Sequence, residues 1–258
     1  MISEKEIEQT QQDINNAYIL FLASLKRKLT STTKDLSIII EEHKKFAKKV
    51  STRLKSMEYD SFVNSMDYIY KKKKIVPKWY DELDEILETM NSFDNMFLNA
   101  RAEILPSKLV ESGLIKKEVI GTELGKLSNQ FSNYYKVLTS ISATESAAFS
   151  KISLFSKYNI RTMRWIGFRD DLTCPVCSRF IGRIFKTSTL KTMMDNYLAE
   201  TEIDGIKKSI PFIEYDKKNN EYFRNIDGEK DYLKYGEIDS IISIPPLHTH
   251  CRCELVAE

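Results

Sequence analysis

All four cysteines of this chain fall in two short clusters, and so do two of its three histidines. Cys174-Pro175-Val176-Cys177 is the first cluster, and Pro245-Pro246-Leu247-His248-Thr249-His250-Cys251-Arg252-Cys253 is the second. A Cys-x-x-Cys turn aims two thiolates at one point in space, which suits a tetrahedral zinc ion with Zn–S of about 2.3 Å. His248, His250, Cys251 and Cys253 compete for the two remaining places. His248 and Cys251 repeat the two-residue gap of the first pair, and Cys251 with Cys253 is the other workable pair. The expectation is a structural zinc site of Cys174 and Cys177 with two of His248, Cys251 and Cys253, leaving His250 as a bystander. Residues 178–250 lie between Cys177 and Cys251, so one ion would close a long loop and tie the tail to the start of a small domain. Two disulfides, or buried free thiols, are the competing arrangement.

Compartment bears on that choice. Met1-Ile2-Ser3-Glu4-Lys5-Glu6 lacks the apolar core of a signal peptide, and no run approaches the roughly 18 apolar residues of a membrane span. The expectation is a protein folded in a cytoplasm, where clustered cysteines act as metal ligands rather than disulfides. A net charge of +2 gives no global reason to wrap nucleic acid. A catalytic zinc needs an open coordination place and a nearby general base. The zinc deaminase pattern fails, because the one upstream histidine, His43, precedes Lys44 and Lys45, and the proline lies inside the cysteine pair. For a metal-dependent nuclease, His250 with Asp170 or Asp171 is the most that can be assembled. The chain stops five residues after Cys253, which argues against an appended catalytic domain.

Only 8 glycines and 6 prolines in 258 residues favour long helices. Ser3 and Glu6 have capping-box spacing. Ile14, Tyr18, Phe21, Leu25 and Leu29 then recur at helical steps, and Ser31-Thr32-Thr33 supplies a break. Leu36, Ile40, His43, Ala47, Val50, Leu54 and Met57 predict a second helix, running to Lys71-Lys72-Lys73-Lys74 and stopped by Pro77. Leu83, Ile86, Leu87, Met90, Phe93, Phe97, Ala100 and Ile104 mark a third, ended by Pro106. A short helix is expected over 109–120 and a long one over 124–158. Near Asn159 the character changes. Strands are expected over 160–168 and 180–185, a helix over 188–200, and a hairpin of 210–215 with 221–224. Asp227-Gly228 should form another turn, and 238–244 a last strand. The fold class is therefore α+β. An elongated, partner-binding helical bundle or coiled-coil body, 1–158, precedes a small metal-stapled α+β domain, 159–258.

Several side chains have two readings. Asp170 and Asp171 serve either as turn and capping residues or as acceptors for a ligand's N–H. Arg252, between two candidate ligands, either offsets thiolate charge or pairs with Asp170, or else is an exposed arginine on a tail. Gly182 is expected to leave backbone room beside the cysteine turn. Lys71 to Lys74 form a solvated helix end or a contact for DNA or an acidic partner. His43 reads as a hydrogen-bonded core residue, and Glu145 as a buried-pair partner or an interface marker. Trp79 and Trp165 read as core, with Trp165 close to the cysteines.

The string Trp165-Ile166-Gly167-Phe168-Arg169-Asp170-Asp171-Leu172-Thr173-Cys174-Pro175-Val176-Cys177, then Gly182, then Pro245-Pro246-x-His248-x-x-Cys251-Arg252-Cys253, resembles the C-terminal domain of phage Mu F-like minor head proteins. The resemblance covers about 159–255, and His250 occupies a position that the family does not fix. It implies a minor capsid protein of a phage or prophage, acting in head assembly or genome delivery beside portal and major capsid proteins. It also implies a place in the capsid interior of the virion after assembly in the host cytoplasm. Contact with packaged DNA and self-association through the helices are further partners to test.

Overall fold

A computed structural model describes residues 4–28, 36–111, 117–167, 169–170, 173–226, 229–234, 236–249 and 251–258, without the side chains of 4, 25–26, 36–39, 101–111, 117–132 and 225. Four long helices come first: α1 (Glu4–Lys28), α2 (Leu36–Lys73), α3 (Asp81–Glu111) and α4 (Lys117–Lys157). Charge is placed where helix dipoles favour it. Asp81, Glu82 and Asp84 open α3, and Lys71, Lys72 and Lys73 close α2. Lys74 then turns into the left-handed region, φ 59°, and its N–H caps the Tyr70 carbonyl at 2.8 Å.

Two expectations for this half are corrected. Pro106 does not end α3, which continues to Glu111. The local cost of an interior proline, about 3 kcal/mol, is small beside a helix that buries Leu83, Ile86, Leu87, Met90, Phe93 and Leu98. Among the described residues there is no separate helix over 109–120: 109–111 belong to α3 and 117–120 to α4, and 112–116 lie outside them. The expected break at Ser31-Thr32-Thr33 lies outside the described residues. So do the side chains of Leu25, Leu29, Leu36, Ile104, Leu124, Leu127 and Phe131.

The chain divides into two compact units. One comprises Ser3–Met57 and Asn91–Thr139. Its core is aromatic, with the rings of Tyr18, Phe21, Phe46 and Tyr135 at centroid separations of 5.0–5.7 Å. His43 is fully buried among them and shares a 2.9 Å hydrogen bond with the Tyr135 hydroxyl, as expected of a core histidine. Burial pushes its pKa down from 6.5 to about 4. Below pH 6.5 the unfolded chain takes up a proton that the folded chain refuses, so this contribution to stability is complete above 6.5 and is lost as the pH falls toward 4. The total is about 3 kcal/mol, at roughly 1.4 kcal/mol per pH unit. His43→Gln should therefore flatten the pH dependence of unfolding between pH 6.5 and 4, read by circular dichroism in urea. An unchanged slope would assign the acid sensitivity elsewhere.

The other unit joins Glu58–Met90 to Ser140–Glu258. Composition changes at 158/159, where α4 ends, but this unit runs across that line. Its helical part is cross-linked by serines: Ser146 donates to Ser61 at 2.9 Å, and Ser65 meets Ser150 at 2.7 Å. Lys151, almost fully buried, makes a 2.5 Å ion pair with Glu254 near the C-terminus. The Tyr68 hydroxyl accepts from the Ala257 N–H at 3.3 Å.

After α4 come β1 (Thr162–Ile166), α5 (Pro175–Phe180), β2 (Ile184–Lys186), α6 (Thr187–Leu198), α7 (Ile203–Ser209), β3 (Ile213–Asp216), β4 (Glu221–Ile226), β5 (Glu229–Tyr232), α8 (Glu237–Ser240) and β6 (Glu254–Ala257). They form two antiparallel sheets, β2-β1-β6 and β3-β4-β5. The fold is α+β, as expected. The β1 strand, the 188–200 helix and the β3–β4 hairpin lie where the sequence places them. Asp227 and Gly228 are outside the described residues, and the strands on either side of them pair antiparallel. The expected strand over 180–185 is instead the end of α5, a turn, and β2. That over 238–244 is absent, because α8 and irregular chain take its place. There Arg183 donates to the carbonyls of Ile238, at 3.2 Å, and Ile241, so these groups are bonded outside any strand ladder. Among the described residues no helix is long and apolar enough to cross a membrane.

Candidate metal centre

Strand β1 organises the site. Its register with β6 pairs Ile166 with Glu254, which sets Cys253 beside Gly167. The chain leaving β1 passes through 167–173 into α5, and there the first cysteine pair sits. Cys174 is the N-cap of α5, with Pro175 behind it at the position where a missing N–H is harmless. The Cys177 N–H donates to the Cys174 sulfur at 3.2 Å, so the thiolate replaces the usual oxygen cap. The tail arrives through the buried run Ser243 to Leu247, held where the Ile213 N–H meets the Leu247 carbonyl at 2.9 Å. A turn closed by Cys251 N–H to His248 C=O, 3.1 Å, then points both side chains inward.

The two clusters converge. His248 Nε2 lies 3.0 Å from Cys174 Sγ and 3.0 Å from Cys177 Sγ, while Cys177 Sγ and Cys251 Sγ are 3.8 Å apart. Donor atoms of Cys174, Cys177 and His248 all lie within 4.8 Å of one another, and so do those of Cys177, Cys251 and Cys253. Cys177 belongs to both triads. The 3.8 Å sulfur–sulfur distance equals the edge of a tetrahedron with metal–sulfur bonds of about 2.3 Å. All four cysteines are free thiols, and 3.8 Å is far beyond the roughly 2.05 Å of a disulfide. This group of five side chains can hold a metal ion.

Proton sharing within the cluster fits that role. A hydrogen bond from Cys177 first, then His248 and the Cys177 backbone, pulls Cys174 down to about 4 against burial. Hydrogen bonds from Cys177 and Cys253, then backbone donors of Leu247 and Cys253, hold Cys251 well below the ordinary thiol value. The same contacts seen from the other side push Cys177 up, Cys174 foremost. Cys253 gains a lowering hydrogen bond from Cys177, yet Cys251 and burial carry it up to about 12. For His248 burial lowers the pKa, but Cys174 and then Cys251 outweigh it and raise the value. The cluster thus lowers some of its thiols, Cys174 and Cys251, and raises others, Cys177 and Cys253, because they share protons at close range.

Around the donors, Arg252 makes a two-pronged ion pair with Asp170, at 2.7 and 3.1 Å. Asp170 also exchanges hydrogen bonds with Thr173, each 3.0 Å. Its carboxylate thus braces the loop before Cys174 against the residue between Cys251 and Cys253. Both partners are over a third exposed, so the pair is worth about 0.2–1 kcal/mol. Asp171 and His250 lie outside the described residues. Gly182 is needed for its backbone rather than for room: φ is +94°, and an added Cβ would meet nothing within 4 Å. The close approach expected there belongs to Gly167, where a Cβ would stand 3.1 Å from Cys253 Sγ and 3.2 Å from the Ile181 side chain. Gly167 escapes a sequence reading because its neighbour is set by β6, a strand with no turn signals around it. Trp165, fully buried, packs on Phe180 at 5.0 Å. Its indole N–H is close enough to lower the Cys253 pKa, although not at conventional hydrogen-bond geometry. Away from the cluster, Glu145 accepts from Tyr197 at 3.1 Å, and Trp79 is only half-buried.

No family model matches the chain, and neither a curated protein nor a solved structure is matched by it.

Proposed function

We propose that this protein is a structural minor head protein of a phage or prophage, whose Cys/His cluster binds zinc to hold its C-terminal segment in shape. One observation carries the reading: the cysteines and histidine of the Mu F-like pattern lie within reach of one ion, and Asp170, Thr173 and Arg252 of the same pattern bond to one another beside them. Cys174, Cys177, His248, Cys251 and Cys253 supply donors, while Asp170, Thr173 and Arg252 brace the loop that presents them. Gly182 turns the chain back toward β2. Zinc is favoured over other ions because three thiolates with an imidazole, or four thiolates, suit a borderline-soft, tetrahedral cation. When bound, zinc supplies cross-linking and no chemistry. The protein's own residues orient the donors and exclude water from them.

On this reading the protein works by interaction and not by turnover, joining portal or major capsid protein inside the head. The nuclease alternative is weakened by Asp170, whose carboxylate is engaged by Arg252 and Thr173. Particles purified after induction of the host genome that encodes the chain test the assignment. Mass spectrometry should find the protein in DNA-filled heads, and protein purified without added metal should carry about one zinc per chain. Absence from the particles overturns the head assignment, and absence of zinc overturns the metal.

A further inference from the structure

Among the described residues ten large hydrophobic side chains stand exposed, and five of them, Tyr59, Val63, Tyr70, Ile75 and Val76, fall within residues 59–76. Scattered exposed apolar residues need no explanation, but a contiguous group does. Tyr59, Val63, Met66 and Tyr70 follow one another at steps of four, three and four, so they form one stripe along α2. The adjacent face of the same helix is occupied, with Ser61, Phe62, Ser65 and Ile69 at 0–1% exposure. Beyond Lys74 the chain doubles back, since Trp79 stacks on Tyr59 at 5.0 Å and lies 6.2 Å from Phe62. Five steps from Lys74 to Trp79 span at most about 17 Å, less than the helical rise of about 22 Å from Tyr59 to Lys74, so the return is near full extension and the long Trp79 and Tyr59 side chains close the rest. Ile75 and Val76 therefore run alongside the stripe. Val76, 74% exposed, is the most open of the five.

Charge is distributed unevenly over this surface. Lys71, Lys72, Lys73 and Lys74 crowd the end that holds Tyr70 and Ile75, whereas Asp60 and Asp67 flank the stripe farther back and Lys78 lies beside Trp79 at the Tyr59 end. Among the described residues, Lys71, Lys73 and Lys74 make no ion pair, while Glu258 and Lys72 attract one another. A nucleic-acid strand tracking this surface would meet both aspartates. An amphipathic helix with acidic residues at one end matches both the stripe and the charge gradient. Acidic residues favour a helix N-terminus, so such a partner would lie antiparallel to α2.

We propose that the α2 stripe with the 74–79 return segment is a docking site for an amphipathic helix of another protein, acidic in its first turns. The proposal rests on this surface alone and is independent of the head-protein and zinc readings. The probe is a fluorescein-labelled 20-residue helical peptide with Leu at i, i+3, i+4 and i+7 and Glu in its first two turns. A second peptide carries the same Glu residues in its last two turns. Anisotropy with the full-length chain should show the first binding at least about tenfold more tightly. Val76→Glu, and separately Lys71→Glu with Lys73→Glu, should each weaken it by about tenfold, with unchanged thermal unfolding as the check on folding. Should Val76→Glu disturb folding, the lysine variant decides alone. Equal binding of the two peptides, or no loss in the decisive variant, overturns the proposal. So does tighter binding of a dT20 oligonucleotide that the lysine variant abolishes, or a self-association of the chain that either variant abolishes.

Discussion

Cys177→Ser is expected to remove bound metal altogether, whereas Cys174→Ser and Cys253→Ser each leave a depleted site that still holds some. The reason is the position of Cys177 in both donor triads. Without Cys174 the chain retains Cys177, Cys251 and Cys253, and without Cys253 it retains Cys174, Cys177 and His248. Without Cys177 neither set survives. A structural zinc site contributes roughly 10–16 kcal/mol that is linked to folding, which exceeds the stability of most domains of this size. The C-terminal sheets should therefore lose order in Cys177→Ser. Trp165 reports it, because the indole is fully buried beside Phe180 and Cys253. Its emission should shift to the red in the variant, and wild-type protein treated with a chelator should do the same. Most of the signal at 222 nm should persist, since α1 to α4 supply the bulk of the helix. A Cys177→Ser protein with a full complement of metal would show that the site is assembled from other donors.

Lys151→Met should destabilise the unit formed by 58–90 and 140–258 by about 3–5 kcal/mol. The Lys151 side chain is 3% exposed and that of Glu254 15%, and they meet at 2.5 Å. Removing the lysine strands a carboxylate in low dielectric, which costs far more than the ion pair itself contributes. The contrast lies in the double variant. Lys151→Met with Glu254→Leu removes both charges, so most of the loss should be recovered. Urea unfolding followed by tryptophan emission separates the cases. Equal destabilisation by the single and double variants would mean that the lysine acts through another contact, such as its ammonium over the Tyr68 ring, 5.5 Å from the centroid.

The pattern of this chain is uneven in what it discloses. Helices α1, α2 and α4 are legible because apolar residues recur at 3.6-residue spacing over many turns, and that periodicity is a local property. Pro106 misleads for the same reason, since a local penalty says nothing about the burial on either side. In the C-terminal part, the β3–β4 hairpin is announced by Lys217-Lys218-Asn219-Asn220, while β6 has no turn signal and α8 displaces an expected strand. Both depend on remote partners, β1 for the one and Arg183 for the other.

For the metal site, the sequence alone determined which side chains have the chemistry, because soft donors are rare and their clustering is visible in one dimension. Which of them meet was decided in three dimensions. The pairing of Ile166 with Glu254 sets Cys253 against Gly167, and Cys177 becomes the hub because α5 is capped by Cys174 and presents both sulfurs to the His248–Cys251 turn. Sheet register and helix start are cooperative outcomes of packing, so no window of residues around either cluster contains them.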